Sequence, residues 1–277
     1  MGLRVSTNVQ SLAAQGTLKK TKQAQDLSLQ KLSSGSRITK AGDDAAGLAI
    51  SEKLKADIRG SRQAQRNAGD GVSMVQVAEG GLNEVSNILI RLRELSVQAA
   101  SDTVGEKERA FTNLEFQSLI QEVDRITGST KYNGRSLING EGGVLDFQVG
   151  IMNNEFNDRI SYAAEATDAK SETLGIVGLD VSGKESAQEN LAVIDQAITK
   201  VNGSRAGLGA LQNRLESTIG GLQTQTENLQ AANSRIRDTD VAEVTAELTK
   251  QNILSQAGIN VLSQANQSPN TALRLLG

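Results

Sequence analysis

The sequence predicts a mainly α-helical fold, built as a long antiparallel rod with coiled-coil packing. Two stretches carry apolar residues at strictly alternating spacings of 3 and 4, which is the pattern that holds one seam of a helix against a neighbour. The chain of 277 residues has one proline, Pro269, so nearly everything before it is free to be helical. Only 2% of the residues are aromatic, and we therefore expect aliphatic side chains on helical seams to form the core.

The two seams define the long helices of the predicted rod domain, residues 43–237. The first seam begins at Val75 and the second runs from Leu191 to Ile236, which at about 1.5 Å per residue is a length of roughly 70 Å. Two motifs of the capping-box type, beginning at Thr103 and Ser186, predict the starts of the later helices. The helices are predicted over 43–100, 104–127 and 186–236.

Glycines interrupt the first of these helices, and each costs about 1 kcal/mol relative to alanine in a helix interior. We expect them to mark close approach of a neighbouring helix or subunit. They include Gly47, Gly60, Gly69, Gly71, Gly80 and Gly81.

The segment 129–182 is predicted to be a small β region in the middle of the chain. Tyr132-Asn133-Gly134 is a turn signal, and Asn139-Gly140 is another. Residues 145–151 alternate with a period of two, as a half-buried strand does, and residues 159–162 are its expected partner. This region joins the rising and returning helices of the rod.

The two ends of the chain are predicted to be a pair of helical segments of opposite charge. Residues 1–42 contain seven basic residues and one acidic residue, Asp26, whereas residues 238–277 carry four carboxylates. Each segment is too weakly patterned to form a stable helix by itself, so we expect both to be disordered in the free monomer and to order on association. Asp240 and Glu243 look like a capping pair, and the second helix is expected to end near Asn266, ahead of Pro269.

Composition excludes several classes of function. The chain has no cysteine and no histidine, which removes the thiolate nucleophile, the commonest general base and the commonest metal ligand. We therefore expect no enzyme, no catalytic, metal or cofactor-binding residues, and no cofactor. A net charge of −3 with no aromatic residues among the basic ones argues against a nucleic-acid partner, and no apolar run approaches the ~18 residues of a membrane span.

Several longer motifs occur in a fixed order at both ends of the chain. The N-terminal half contains Asn8, Leu32-Ser33-Ser34-Gly35-Ser36-Arg37-Ile38, Asp43-Asp44-Ala45-Ala46-Gly47-Leu48-Ala49-Ile50, Arg66-Asn67-Ala68-Gly69-Asp70-Gly71 and Arg93-Glu94-Leu95. The C-terminal part contains Ser234-Arg235-Ile236, Gln256-Ala257-Gly258 and Leu262-Ser263-Gln264-Ala265-Asn266-Gln267. With these motifs the chain resembles a bacterial flagellin over nearly its whole length, in a short form that has the inner core and rod but little outer decoration.

The resemblance implies an extracellular structural subunit that polymerises into the flagellar filament for motility. In that family the paired terminal helices form the innermost layer, and the subunit is exported unfolded by the flagellar type III route. An export chaperone binds the C-terminal segment, here 238–277, and hook-associated and cap proteins are further partners. The residues expected to assemble the filament core are Val5, Val9, Leu12, Leu27, Leu32, Leu248, Leu254 and Val261. The alternatives are a hook–filament junction protein, which resembles flagellin at both ends, and a cytosolic coiled-coil adaptor.

The resemblance also implies recognition of the monomer by the vertebrate Toll-like receptor for flagellin. Arg91, Leu95 and Gln98 lie three and four residues apart and are predicted to form one exposed row on a helix. The family's receptor contacts match this row together with Glu115 on the next helix. Ile90 departs from the glutamine that is usual at its position.

Overall fold

The computed structural model describes the backbone of residues 7–274 and the side chains of residues 7–267. The chain divides into two compact units. Unit 1 comprises Met1–Ala56 and Asn228–Gly277, and unit 2 comprises Asp57–Glu227. The division falls inside the two longest helices, α2 (Ala45–Ala99) and α6 (Lys184–Arg237), each of which contributes to both units.

The core of unit 2 is built on the two predicted seams. All eight residues of the first seam, on α2, are buried: Val75, Ala78, Leu82, Val85, Leu89, Leu92, Ser96 and Ala99. Every residue of the second seam, on α6, is buried or half-buried, and the part of this seam from Leu191 to Thr226 belongs to unit 2. A third helix, α3 (Glu106–Ser129), adds Phe116, Ile120 and Val123 to the same cluster. The predicted mainly helical class and aliphatic core are therefore confirmed.

The starts of α3 and α6 differ from the capping-box prediction. Gly105 is the N-cap residue of α3, and it offers no side-chain hydrogen bond. Helix α6 begins at Lys184, so Ser186 lies inside its first turn, where its hydroxyl donates to the carbonyl of Gly183 over 3.0 Å. The predictions that Thr103 and Ser186 cap these two helices were therefore wrong. By contrast, Asp44 caps α2 through the amide of Gly47, at 2.8 Å.

The middle of the chain forms two small antiparallel sheets, as predicted. Strands β1 (Lys131–Tyr132) and β2 (Arg135–Ser136) enclose a two-residue turn in which Asn133 and Gly134 both have positive φ. Strands β3 (Val144–Gln148) and β4 (Arg159–Ala163) pair with Phe147 opposite Ile160. Short helices α4 (Glu155–Asp158) and α5 (Ser171–Leu174) and a 3₁₀ turn (Ala164–Thr167) complete the region.

The glycines of α2 divide into two groups. A Cβ atom on Gly81 would lie 2.7 Å from Thr130 Oγ1 and 2.9 Å from Ile138 Cδ1, so this helix face touches the segment after α3. Gly71 similarly faces Phe147 and Leu215. A Cβ on the adjacent Gly80 would meet nothing within 4 Å. The expectation of close approach therefore holds at some glycines and fails at others.

Unit 1 contains the terminal helices α1 (Val9–Ser34) and α7 (Val241–Arg274), which pack against each other. Asp240 caps α7 by accepting from the amides of Ala242 and Glu243 at 2.8 and 3.2 Å, as predicted. The predicted end of this helix near Asn266 was wrong, because the helical backbone continues past Pro269 to Arg274. The side chain of Asn8, the N-cap residue of α1, donates to the carbonyl of Ala265, which the proline cannot do because it has no N–H.

Candidate assembly surface

The terminal helix pair, α1 with α7, is held by a seam of small and polar side chains. The less exposed positions of α1 repeat at spacings of 3 and 4, and so do those of α7. On α1 the seam consists of Ser11, Ala14, Leu18, Thr21, Gln25, Ser28 and Leu32. On α7 it consists of Val244, Leu248, Gln251, Ser255, Gly258, Leu262 and Ala265. Five of these fourteen residues are Leu or Val, and the other nine are small or polar, so the pair buries little apolar surface within one chain.

Three hydrogen bonds fix the antiparallel register of the seam. The amide nitrogen of Asn8 donates to the carbonyl of Ala265 over 2.8 Å, and the Ser11 hydroxyl donates to Asn266 Oδ1 over 2.8 Å. Seventeen residues after Asn8, Gln25 Nε2 donates to Asn252 Oδ1 over 2.7 Å. A Cβ on Gly258 would lie 3.2 Å from Leu18, so the two backbones approach closely between these contacts.

At the other end of the terminal helix pair, two backbone hydrogen bonds join the segment after α1 to the segment before α7. Gly35 ends α1 in the left-handed conformation at φ 66°, and its carbonyl accepts from the amide of Thr239 over 3.1 Å. The amide of Arg37 donates to the carbonyl of Arg237 over 2.7 Å. Arg237 also forms an ion pair with Glu52 on α2. The chain turns between α1 and α2, and between α6 and α7, are therefore joined.

Nine large apolar side chains of α1 and α7 lie outside the seam and are exposed. We call them the outer apolar residues: Val9, Leu12, Leu27, Leu29, Val241, Ile253, Leu254, Ile259 and Val261. Their exposed fractions run from 42% at Leu27 to 65% at Ile253. A surface groove of about 760 Å³ lies beside Val261, lined on the α1 side by Ala13, Ala14 and Thr17. Exposed apolar surface on this scale is typical of an interaction site.

The residues predicted to assemble the filament core fall into three groups. Val9, Leu12, Leu27, Leu254 and Val261 belong to the outer apolar residues. Leu32 and Leu248 are half-buried in the seam. Val5 lies outside the described residues.

The terminal helices pair as predicted, but the expected contact between opposite charges is not seen. Among the described side chains, no ion pair joins α1 to α7. Packing of the mostly small and polar seam residues and hydrogen bonds from the side chains of Asn8, Ser11 and Gln25 hold the pair instead. The pattern of large apolar residues along the chain does not reveal this seam, because most of its positions, at spacings of 3 and 4, are small or polar residues.

The predicted receptor row lies in unit 2, and the structure corrects one of its members. Arg91, Gln98 and Glu115 are exposed, but Leu95 is only 2% exposed and belongs to the core. Arg91 contacts Glu115 on α3. Leu95 lies four residues later, so it is rotated by only about 40° around the helix axis from Arg91. Because α2 packs there as well as along its main seam, the predicted exposure of Leu95 was wrong.

Arg91 is held by two carboxylates. Its guanidinium donates to Glu115 Oε1 from Nε at 3.0 Å and from Nη2 at 2.8 Å, and to Glu94 Oε2 from Nη1 at 2.9 Å. These hydrogen bonds, from Glu94 first and Glu115 second, raise the pKa of Arg91 above its usual value. The side chain is about half exposed, so the network fixes geometry more than it adds stability.

Within residues 7–274, no helix has both the length and the apolar character needed to cross a membrane. The same part of the chain contains no group of three or more potential metal ligands.

Comparison with known proteins identifies the family. Residues 5–142 match the bacterial flagellin N-terminal helical region, and residues 191–276 match the bacterial flagellin C-terminal helical region. The chain is 46% identical over 248 residues to a flagellin from Halalkalibacterium halodurans, with 90% of each chain covered. It is 43% identical over 263 residues to the flagellar filament 30.7 kDa core protein of Treponema maltophilum, again with 90% of each chain covered.

A solved structure agrees. The crystal structure of Bacillus cereus flagellin superimposes with a TM-score of 0.51 at 30% identity, covering 61% of this chain and 94% of that one. The chain therefore belongs to the bacterial flagellin family, structural proteins of the flagellum, an extracellular appendage.

Proposed function

We propose that this chain polymerises into the flagellar filament by burying the outer apolar residues of α1 and α7 against copies of itself. As a flagellin, it is a structural subunit of that filament. The observation that supports this is the distribution of side chains in the terminal helix pair: most seam residues are small or polar, whereas nine Leu, Ile and Val side chains are exposed outside the seam. Because flagellins form a polymer, the partner that covers the outer apolar residues is a second copy of this chain.

Burial of these residues provides the driving force. Each Leu, Ile or Val taken fully out of water stabilises the assembly by about 1.5–3 kcal/mol. Ordering the terminal segments opposes this, because they are expected to be disordered in the free monomer. Head-to-tail contacts that do not close generate an open polymer. Assembly is therefore favoured only where many copies contact one another at once.

Seeded elongation tests this proposal. We expect deletion of residues 1–42 or 243–277 to abolish filaments in electron micrographs while unit 2 stays soluble and helical. The sharper variant is Leu12→Gln with Leu254→Gln, which places amides on the outer surface and leaves the seam intact. Its matched control, Gln23→Ala with Asn260→Ala, alters exposed polar positions on the same helices. Normal elongation of the leucine variant would refute the proposal.

The same assay separates the alternatives. A hook–filament junction protein stops after one ring, whereas a filament subunit keeps elongating from seeds. A coiled-coil adaptor has folded termini as a monomer, so rapid hydrogen exchange of residues 7–34 and 241–267 in the dilute chain argues against it.

We also propose that the chain is exported unfolded by the flagellar type III route, with its chaperone on residues 238–277. The exposed side chains of Ile253, Leu254 and Ile259 support this, because they give α7 an apolar surface that a partner can bind. Calorimetry of the purified chaperone with the full chain and with a chain lacking 238–277 tests it. The binding heat should disappear with the segment. Hook-associated and cap proteins are proposed to contact the ends of the polymer through the same surface.

The monomer is further proposed to be a ligand of the vertebrate Toll-like receptor for flagellin through Arg91, Gln98 and Glu115. The exposed, pre-ordered arginine supports this, since arginine is a preferred anchor at interfaces. Arg91→Ala and Glu115→Ala should each weaken receptor binding in surface plasmon resonance. Arg125→Ala, an exposed arginine elsewhere on α3, is the control. Equal binding by all three variants and the native chain would contradict the proposal.

A further inference from the structure

A compact block of positive charge lies on the exposed side of α1. Lys19, Lys20 and Lys22 are all exposed, and none of them forms an ion pair with another described side chain. The only carboxylate on this helix is Asp26. We call these three lysines the basic block.

A block of negative charge lies at the start of α7. Asp240, Glu243 and Glu247 occur within the first two turns and border one surface cavity, whose lining also includes Lys31, Arg37 and Lys250. Asp240 is engaged as the helix cap, and Glu247 contacts Lys250 at 3.3 Å. Glu243 forms no ion pair within residues 7–267. We call Glu243 and Glu247 the acidic block.

The two blocks lie at different heights along the terminal helix pair. Leu18 lies against Gly258 and Gln25 contacts Asn252, so the basic block lies level with the middle of α7, on the exposed side of α1. The acidic block instead borders the same cavity as Ser28 and Lys31 of α1. Eleven residues separate Lys20 from Lys31, which is about 15–20 Å at 1.5 Å per residue. That distance is too large for the blocks to neutralise each other within one copy.

Two parallel copies placed side by side without displacement would bring like charges together, which is repulsive. We propose that the basic block of one copy pairs with the acidic block of a neighbouring copy, and that this pairing fixes the axial stagger between them at about 15–20 Å. This rests on the proposed function, since a second copy is the partner. Burial of the outer apolar residues drives association without specifying register, whereas complementary charge selects one register over others.

Charge reversal with rescue tests the pairing. The basic variant is Lys19→Glu, Lys20→Glu and Lys22→Glu, and the acidic variant is Glu243→Lys with Glu247→Lys. In low salt, we expect each variant alone to elongate on its own seeds at least ~10-fold more slowly than the native chain, as expected for lost electrostatic complementarity. The chain carrying all five changes should recover to within ~3-fold, because the pairing is restored with reversed polarity.

The matched control is Lys53→Glu, Lys107→Glu and Lys131→Glu, which makes the same change in net charge at exposed lysines outside the basic block. It should elongate at the native rate. Circular dichroism identifies any variant that fails to fold. If the basic variant does not fold, Lys→Gln changes at positions 19, 20 and 22 are used instead of the changes to glutamate. These neutral variants should lose most of the dependence of the elongation rate on salt.

Cross-linking gives a direct readout of the same contact. A carbodiimide joins a lysine amine to a glutamate carboxyl as an amide with release of a urea. In polymers of mixed ¹⁴N and ¹⁵N chains, we expect peptides containing residues 19–22 linked to peptides containing 243–247 of the other isotope, and none from monomer. Failure of the native chain to elongate would reject the proposed function. Native elongation with no mixed-isotope cross-links, or no recovery in the five-fold variant, would reject the stagger alone.

Discussion

The side-chain amide of Asn8 donates a hydrogen bond to the backbone carbonyl of Ala265 over 2.8 Å. Within an α-helix that carbonyl would accept from the N–H of residue 269, four positions later, and residue 269 is a proline with no N–H. Asn8 Oδ1 also accepts from the amide of Ser11 over 3.1 Å and caps α1. One side chain thus begins α1 and satisfies the carbonyl that the proline leaves without a donor in α7.

We expect Asn8→Asp to weaken the assembled terminal helix pair by about 1 kcal/mol, because the aspartate keeps the cap acceptor but loses the donor. In a Pro269→Ala background the helix supplies its own donor, so the cost of Asn8→Asp should fall by about half or more. Thermal dissociation of the polymers measures all four combinations. Equal costs in the two backgrounds would show that the hydrogen bond does not compensate for the proline.

The adjacent glycines of α2 give an internal comparison. Gly81→Ala should destabilise unit 2 by about 1–3 kcal/mol, because its new Cβ would collide with Thr130 and Ile138. Gly80→Ala should instead stabilise it by up to about 1 kcal/mol, because the space is open and alanine favours the helix. Urea unfolding of the full chain measures both, and the same sign for the two changes would contradict the described packing.

Leu95 should behave as a core residue rather than as a surface contact. Leu95→Ala is expected to lower the free energy of unfolding by about 2–5 kcal/mol, since it opens a cavity in the core. Val97→Ala, at a side chain 49% exposed on the same helix, should change it by less than about 1 kcal/mol. A reduction of receptor binding by Leu95→Ala that disappears when binding is normalised to folded protein would confirm that this residue acts through the fold. Equal effects of Leu95→Ala and Val97→Ala on unfolding would be inconsistent with burial.

The Glu52–Arg237 pair should make unit 1 sensitive to acid. The hydrogen bond from Arg237, followed by that from Lys55, lowers the pKa of Glu52 below its ordinary value of 4.5. A carboxylate with a lowered folded pKa stabilises the native state above the unfolded pKa, and this contribution is lost as the pH falls through the folded value. Unfolding between pH 6 and pH 3 should therefore show a shallower pH dependence in Glu52→Gln. Arg237→Gln should remove most of the same dependence, and an unchanged slope in both variants would rule out the pair as its source.

The long helices of unit 2 were predictable because their seams use large aliphatic residues at strict spacing. Val75 through Ala99 on α2 and Leu191 through Leu222 on α6 can bury together only if both segments are helical and face each other. The β3–β4 pairing was readable for the same reason, since a period of two fits only a strand. In these regions the spacing of apolar residues matched both the secondary structure and the side chains that are buried.

The helix starts were less predictable. Thr103 and Ser186 fit a capping motif, yet α3 begins at Glu106 after the N-cap residue Gly105, and α6 begins at Lys184, two residues before Ser186. The exposure of Leu95 failed similarly, since a helix with two packed sides has a wider buried stripe than its main seam indicates.

By itself, the sequence determined the helical class, the two seams, the central hairpins and the resemblance to flagellins, because these depend on spacing and on motifs along the chain. Only the tertiary structure decided which side of α1 faces α7, and that Asn8 offsets the missing N–H of Pro269. Residues more than 250 positions apart contribute to that choice. Most residues of the seam there are small or polar and have a weak preference for burial, so hydrophobicity along the chain did not reveal it.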